Sequence, residues 1–201
     1  GPLDEEAYGV ASNTNGVMVT GRQVNFGGTS DAWFAWMDLD GNVQMTTSLG
    51  GPGTEVGRAL IPEGTDAFVM AGSTTSYGPY DVTEHRIKDN VYLAAINTAG
   101  DTLWTRSVGD TLIDRAAWCL DRAPNGDLLL GGEGYTRGLS DALVQRLDAN
   151  GGLLWERIID MQKEEKLVDL LALPDGVAAT GWSSGEMSRQ VLLLRRNPSG
   201  D

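Results

Sequence analysis

Short apolar runs that end in glycine recur four times along the chain, and each is followed by a glycine-containing turn. The runs end at Gly21, Gly72, Gly131 and Gly181, so successive run-ending glycines lie 51, 59 and 50 residues apart. The turns are Asp40-Gly41, Ala99-Gly100, Asn150-Gly151 and Ser199-Gly200. Self-similarity at such a period indicates a repeat architecture, because one unit of that size cannot bury its own hydrophobic face.

Within each unit, short extended segments alternate with turn sequences, a pattern typical of antiparallel β-strands. The first unit contains four predicted strands: Tyr8–Thr14, Val17–Gln23, Asp31–Asp38 and Val43–Ser48. The second and third units repeat this order, whereas the fourth provides three: Leu167–Leu173, Val177–Trp182 and Gln190–Arg196. The fourth unit is therefore predicted to lack its outer strand, which leaves an edge open for pairing with another chain.

Several segments are continuous apolar runs rather than strict alternations, for example Val191-Leu192-Leu193-Leu194. A strand covered on both faces gives such a run, and the stacked sheets of a β-propeller cover both faces of their strands. A β-sandwich exposes one face of each sheet and gives cleaner alternation. We therefore predict an all-β fold: a β-propeller of four blades, each a four-stranded antiparallel sheet with the last one incomplete, standing alone or as part of a larger propeller.

The propeller is predicted as a single domain over residues 4–201, with repeat units at about 4–51, 52–110, 111–160 and 161–201. Gly1-Pro2 is typical of the remnant of a cleaved tag, so residues 1–3 are assigned to a scar and linker. The segment Glu156–Leu173 conflicts locally, because its composition favours a helix. The repeat register predicts strands there, and we follow the register because tertiary context overrides propensity.

The chain is acidic, with a formal net charge of −13 at pH 7. Nucleic acids and anionic membranes require a basic surface, so the charge excludes both as partners. No apolar stretch approaches the ~20 residues that span a bilayer, so membrane insertion is not expected. Cys119 is the only cysteine, and its apolar neighbours predict a buried, unreactive thiol.

Several segments carry a resemblance to a known repeat. In the second unit they are Gly72-Ser73-Thr74-Thr75-Ser76-Tyr77-Gly78, Asp81-Val82, Asn97-Thr98-Ala99-Gly100-Asp101 and Thr102-Leu103-Trp104; in the third, Ser140-Asp141-Ala142, Leu147-Asp148-Ala149-Asn150-Gly151 and Leu154-Trp155. They resemble the repeat of exported bacterial β-propeller proteins. The fourth unit departs most, since it lacks the aspartate before its third strand. The resemblance implies a propeller located in the periplasm, at the cell surface or outside the cell, and such repeats are mostly non-catalytic binding or scaffolding domains.

An acidic residue lies seventeen positions before each run-ending glycine: Asp4, Glu55, Asp114 and Glu164. In a closed ring these acids would crowd the mouth of the central channel, where a bound cation would relieve their repulsion. Glu55, Asp114 and Glu164 are therefore candidate metal ligands, although no cofactor is otherwise indicated. The alternative, which we favour, is that each acid accepts hydrogen bonds from backbone N–H groups of its own loop.

The long, chemically varied loops are predicted on one face of the propeller, because strands alternate in direction. The most conspicuous is an insertion at Tyr77–Asn90, which contains His85, the only histidine of the chain. Aromatic and arginine side chains are favoured at interface centres, and they concentrate in these loops. The candidate binding residues are Phe26, Tyr77, Tyr80, His85, Arg86, Tyr135 and Arg137.

These features predict a non-catalytic scaffold of an exported or cell-envelope protein that binds a protein or cell-envelope glycan through its loop-rich face. One alternative is a glycan-acting hydrolase with two carboxylates about 5–9 Å apart, drawn from Glu55, Asp81, Glu84, Asp114 and Glu164. Another is a purely structural module that pairs through the open edge of its fourth blade, as a homodimer for example.

Overall fold

A computed structural model describes residues 4–109, 113–136, 138–184 and 188–201, and all its regular structure is β-strand. The chain folds as two compact units, unit 1 at Gly1–Thr111 and unit 2 at Leu112–Asp201. Within the described ranges, no helix is long and apolar enough to cross a membrane.

Unit 1 contains two four-stranded antiparallel sheets and a small hairpin. The first sheet has the order β1-β2-β3-β4, with β1 Glu5–Ser12, β2 Val17–Val24, β3 Ser30–Met37 and β4 Val43–Leu49. The second has the order β5-β6-β9-β10, with β5 Glu55–Glu63, β6 Ala67–Thr74, β9 Asn90–Asn97 and β10 Thr102–Val108. Between β6 and β9, strands β7 (Tyr80–Asp81) and β8 (Arg86–Ile87) form the hairpin.

Unit 2 contains a four-stranded and a three-stranded sheet. The four-stranded sheet runs β11-β12-β13-β14, with β11 Arg115–Arg122, β12 Leu128–Thr136, β13 Leu139–Leu147 and β14 Leu153–Ile159. The three-stranded sheet runs β15-β16-β17, with β15 Glu165–Leu173, β16 Gly176–Ser184 and β17 Arg189–Arg196. The segment with helical composition, Glu156–Leu173, thus forms the end of β14, a loop and β15, as the repeat register predicts.

A backbone contact explains why glycine recurs in the second strand of every sheet. The first strand of each sheet carries a β-bulge, after Ala7, Gly57, Ala117 and Leu167 respectively. Opposite the bulge lie Gly21, Gly72, Gly132 and Gly181, where any Cβ atom would collide with a carbonyl oxygen of the first strand. The equivalent glycine of the third sheet is therefore Gly132, one residue after the Gly131 that the sequence pattern suggested.

Within each unit, consecutive sheets pack face to face. In unit 1, Met18 and Phe34 of the first sheet contact a cluster that includes Phe68 and Met70 of the second. The rings of Trp36 and Phe68 lie 5.6 Å apart. A corresponding cluster in unit 2 joins the third and fourth sheets, and its buried members are Cys119, Ala123, Leu129, Ala142, Val144, Leu167, Leu170, Val177 and Ala179.

Four antiparallel sheets that follow one another along the chain, each stacked on a neighbour within its unit, are the blades of a β-propeller. The predicted all-β propeller class is confirmed, including the incomplete fourth blade. One supporting argument is wrong, however. The run Val191–Leu194 is not covered on both faces, because Val191 and Leu193 are 79% and 78% exposed. Within this run, Leu192 and Leu194 pack against the third blade.

Candidate functional site

The insertion in the second blade folds as a separate hairpin. It lies on the side of unit 1 that carries the connections from β2 to β3 and from β6 to β9, which we call the loop side. Strands β7 and β8 pair through Tyr80 with Ile87 and Asp81 with Arg86. The Asp81 carboxylate accepts hydrogen bonds from the backbone N–H groups of Thr83 and Glu84, at 2.8 and 3.1 Å, which closes the turn. These contacts give the hairpin a defined conformation of its own.

Lys88 links two acidic residues of the hairpin through ion pairs. Its ammonium group is almost fully buried and lies 3.3 Å from the Asp81 carboxylate and 2.7 Å from that of Glu84. Glu84 also receives a hydrogen bond from Arg86 at 2.7 Å. The pKa of Asp81 is lowered by the two turn N–H groups and then by Lys88, and that of Glu84 by Lys88 and Arg86. The carboxyl groups of Asp81 and Glu84 are therefore held in their charged forms.

Tyr77 anchors the start of the insertion to the loop between the first two blades. Its hydroxyl donates a hydrogen bond to the Gly50 carbonyl at 3.0 Å, and its ring stacks on that of Tyr92 at 5.8 Å. Burial, followed by the neighbouring carboxylates of Glu55 and Asp31, raises the pKa of the Tyr77 hydroxyl. Tyr77 therefore fixes the start of the insertion, and part of its ring is also exposed to solvent.

The other candidate residues of unit 1 lie on exposed loops. Tyr80 is 57% exposed on the hairpin, and Phe26, in the loop between β2 and β3, is 92% exposed. His85 occupies the hairpin turn with φ of 54°, a left-handed conformation that non-glycine residues seldom adopt. Arg86 forms an ion pair with Glu84. The hairpin thus carries Tyr80, His85 and Arg86, and Tyr77 lies just before it.

The aspartate that the resemblance placed in the second blade is part of this hairpin. In the first and third blades the repeat aspartates are Asp31, opposite Gln23, and Asp141, opposite Gly134. In the second blade Asn90, opposite Thr74, takes that position. Asp81 does not occupy this position, because Asp81 lies inside the insertion, whereas the repeat position is the first residue of β9.

Glu55 is a buried hydrogen-bond acceptor at the junction of the first two blades. Its carboxylate, with no exposed surface, receives the Thr74 hydroxyl at 2.6 Å and the backbone N–H groups of Gly51 at 2.7 Å and Ser76 at 3.3 Å. The donors belong to the loop before β5, to the end of β6 and to the residues that lead from β6 into the insertion. This is the arrangement expected if the acid organises its own loops.

Strand register places the equivalents of Glu55 one residue away from the other acids suggested by counting. Glu55 lies opposite Thr74, and the same position is occupied by Glu5 in β1, Arg115 in β11 and Glu165 in β15. Asp4, Asp114 and Glu164 each precede this position, and their backbone carbonyls accept hydrogen bonds from Val24, Tyr135 and Ser184. In the first and fourth blades the count fails because the glycine follows this position after 16 residues instead of 17. In the third blade it fails because the equivalent glycine is Gly132 and not Gly131.

Glu165 repeats the structural role of Glu55 in unit 2, but beside other acids. It is fully buried and accepts hydrogen bonds from the Ser183 hydroxyl at 3.2 Å and the Met161 N–H at 3.4 Å. Burial, reinforced by nearby Asp141 and Asp160, raises the pKa of its carboxyl group against these two hydrogen bonds. A cavity of 120 Å³ lies beside Asp141 and Asp160.

Sequence reasoning missed a charged and aromatic cluster in unit 2. The Lys166 ammonium lies 3.1 Å from the ring centre of Trp118 and 3.3 Å from the Glu133 carboxylate. The Trp118 indole donates to the same Glu133 carboxylate at 3.0 Å. Trp118 is the bulge residue of β11, and the stacking of the fourth blade on the third brings it next to Lys166.

Tyr135 lies near the end of β12 in unit 2 and is 47% exposed. Arg137 lies outside the described residues. Within the described ranges, no three His, Cys, Asp or Glu side chains form a group that could hold a metal ion. Comparisons with protein-family models and with curated proteins give no match to this chain.

Proposed function

We propose that this chain is a non-catalytic propeller scaffold that binds a protein or cell-envelope glycan through the loop side of unit 1. The observation that carries the proposal is the hairpin at residues 79–88, which has its own strand pairing and a buried lysine. A loop that only connects β6 to β9 needs neither feature. Loops fixed in this way on a rigid scaffold commonly carry binding residues.

The exposed chemistry of the hairpin fits such a partner. The charges of Asp81, Glu84, Arg86 and Lys88 largely satisfy one another. The side chains left most available are apolar or aromatic, with Tyr80 57% and Val82 74% exposed. Aromatic rings that carry a polar group are favoured at the centres of protein interfaces.

An enzymatic role for the hairpin carboxylates is disfavoured on physical grounds. A general acid requires a pKa near the working pH, whereas the pKa values of Asp81 and Glu84 are lowered. Glu165 has a raised pKa, but it has no exposed surface through which to reach a substrate. The resemblance to exported bacterial repeats supports placing the scaffold in the periplasm, at the cell surface or outside the cell.

The test uses two partner preparations, insoluble peptidoglycan and detergent-solubilised envelope proteins, each mixed with the chain. The variant Tyr80→Ala/Arg86→Ala should reduce the bound fraction about tenfold, the effect of losing an interface anchor. The matched control is Tyr8→Ala/Arg106→Ala, which changes the same residue types outside the hairpin and should bind as wild type.

Equal binding by both double variants would overturn the proposal for this hairpin. Release of soluble sugar fragments from the peptidoglycan sample would instead indicate the hydrolase alternative. Circular dichroism of each variant establishes that lost binding does not reflect lost folding.

A further inference from the structure

Blades stack on one another through the same repeat positions in both units. In unit 1 the first blade contacts the second through Met18, Ala32 and Phe34. In unit 2 the third blade contacts the fourth through Leu129, Ala142 and Val144. The strand register places these two sets at equivalent positions, with Phe34 opposite Thr20 and Val144 opposite Gly131. The contact surface toward the following blade is therefore a fixed feature of the repeat.

The fourth blade carries the same surface, and its apolar side chains are exposed. Ala178, Val191 and Leu193 occupy the positions of Met18, Ala32 and Phe34. We call this surface the front face of the fourth blade: Leu171, Ala178, Thr180, Val191 and Leu193. Val191 is 79% exposed, Leu193 78% and Leu171 57%, and the face lines an open hollow of 560 Å³. A contiguous exposed apolar surface of this kind marks an interaction site.

The first blade carries the complementary surface. The second blade receives the first through Leu60, Phe68 and Met70. The equivalent residues of the first blade form its back face, which is also apolar: Val10, Val17, Val19, Trp33 and Ala35. Val10, at the position of Leu60, is 67% exposed. One chain therefore displays both halves of the contact that joins consecutive blades.

We propose that the front face of the fourth blade docks on the back face of the first blade of a second copy of this chain. The contact continues the blade stacking already present in each unit, with Leu193 taking the place of Phe34 or Val144. Such a head-to-tail interface is heterologous, because two different surfaces meet. It uses the face of the fourth blade, not its open edge strand, and it leaves the hairpin at residues 79–88 out of the contact.

The mass of the chain in solution is measured by light scattering from about 1 to about 100 µM, a range that brackets a modest interface. We expect at least twice the chain mass of 21.5 kDa at the upper end. Leu193→Asp should raise the dissociation constant at least about 30-fold, as should Val10→Asp on the opposite surface. Leu103→Asp is the matched control, since Leu103 is 54% exposed in β10 and belongs to neither face.

Mixing the two variants separates this contact from other modes of association. The Leu193→Asp chain retains an intact back face, and the Val10→Asp chain retains an intact front face. Each variant alone should stay at 21.5 kDa, and an equimolar mixture should recover association. Val191→Arg provides a second disruption of the front face, and thermal melting checks the folding of all variants.

A wild-type chain that remains at 21.5 kDa over the whole range would overturn the proposal. Association that survives both Leu193→Asp and Val10→Asp would overturn it as well, and would point to pairing through the edge of β17. A mixture of folded variants that fails to associate would exclude the head-to-tail arrangement.

Discussion

Glu55 offers a sharp test of whether the repeated acid serves structure or binds a cation. Its buried carboxylate accepts hydrogen bonds from Thr74, Gly51 and Ser76. Glu55→Ala removes the acceptor, so these three donors lose their hydrogen bonds to the carboxylate at the junction of the first two blades. An unpaired buried donor costs about 1–3 kcal/mol. Three donors lose their acceptor, and local rearrangement recovers part of their combined cost. We therefore expect the free energy of unfolding to fall by about 2–4 kcal/mol.

The change is large enough to measure by thermal unfolding followed with circular dichroism. In a chain of this length, 1 kcal/mol shifts Tm by roughly 2–4 °C, so the variant should melt about 4–16 °C below wild type. Glu55→Gln keeps one acceptor oxygen and should lose less. The control is Glu63→Ala, an exposed acid at the far end of the same strand, which should change stability by less than about 0.5 kcal/mol.

Two results would refute this reasoning. One is a Glu55→Ala chain that melts within about 2 °C of wild type, since the hydrogen bonds would then contribute little. The other is a rise in wild-type Tm with calcium that the variant lacks, because a ligand that binds only the folded state stabilises it. The second result would identify the carboxylate as a cation ligand.

Two further outcomes follow from buried ionisable groups. The raised pKa of Glu165 means that its contribution to stability is fully present below its ordinary value of 4.5 and declines as pH rises through the folded value. Glu165→Gln should therefore lose less stability than wild type between about pH 4 and pH 7 in urea titrations, and identical profiles would contradict this. Burial, with a smaller effect of Asp169, raises the pKa of Cys119 to about 12, so a thiol reagent at mildly alkaline pH should label it only in denaturant. Rapid labelling of the folded chain would contradict the buried position of Cys119.

Strand positions and fold class were within reach of the sequence because both follow from local rules. Glycines such as Gly21 and Gly72 recur where the bulged first strand leaves no space for a Cβ atom. That steric requirement repeats in every blade and therefore leaves a visible period. Even the strands within Glu156–Leu173 follow from the period, although helix propensity opposes them.

The strand register was harder to predict from the sequence. A repeat period still fits when the alignment shifts by one residue, whereas a strand pairing does not. Counting from the glycines gave Asp114 and Glu164, whereas the pairing gives Arg115 and Glu165. The same limit concealed Asn90 at the repeat aspartate position. A shorter hairpin moves the fourth-blade position, the choice of Gly131 over Gly132 moves the third, and the insertion before β9 displaces Asn90.

The sequence by itself determined the all-β class, the four blades, the incomplete last sheet and the conspicuous insertion, since these depend on local patterns of apolar residues, glycines and turns. Only the tertiary structure decided which side chains meet. The buried ammonium of Lys88 beneath the hairpin, and Lys166 against Trp118 of another blade, depend on loop paths and sheet stacking. The run Val191–Leu194 shows the physical reason: apolar composition records which residues favour burial, whereas the packing of neighbouring elements determines which of them are covered.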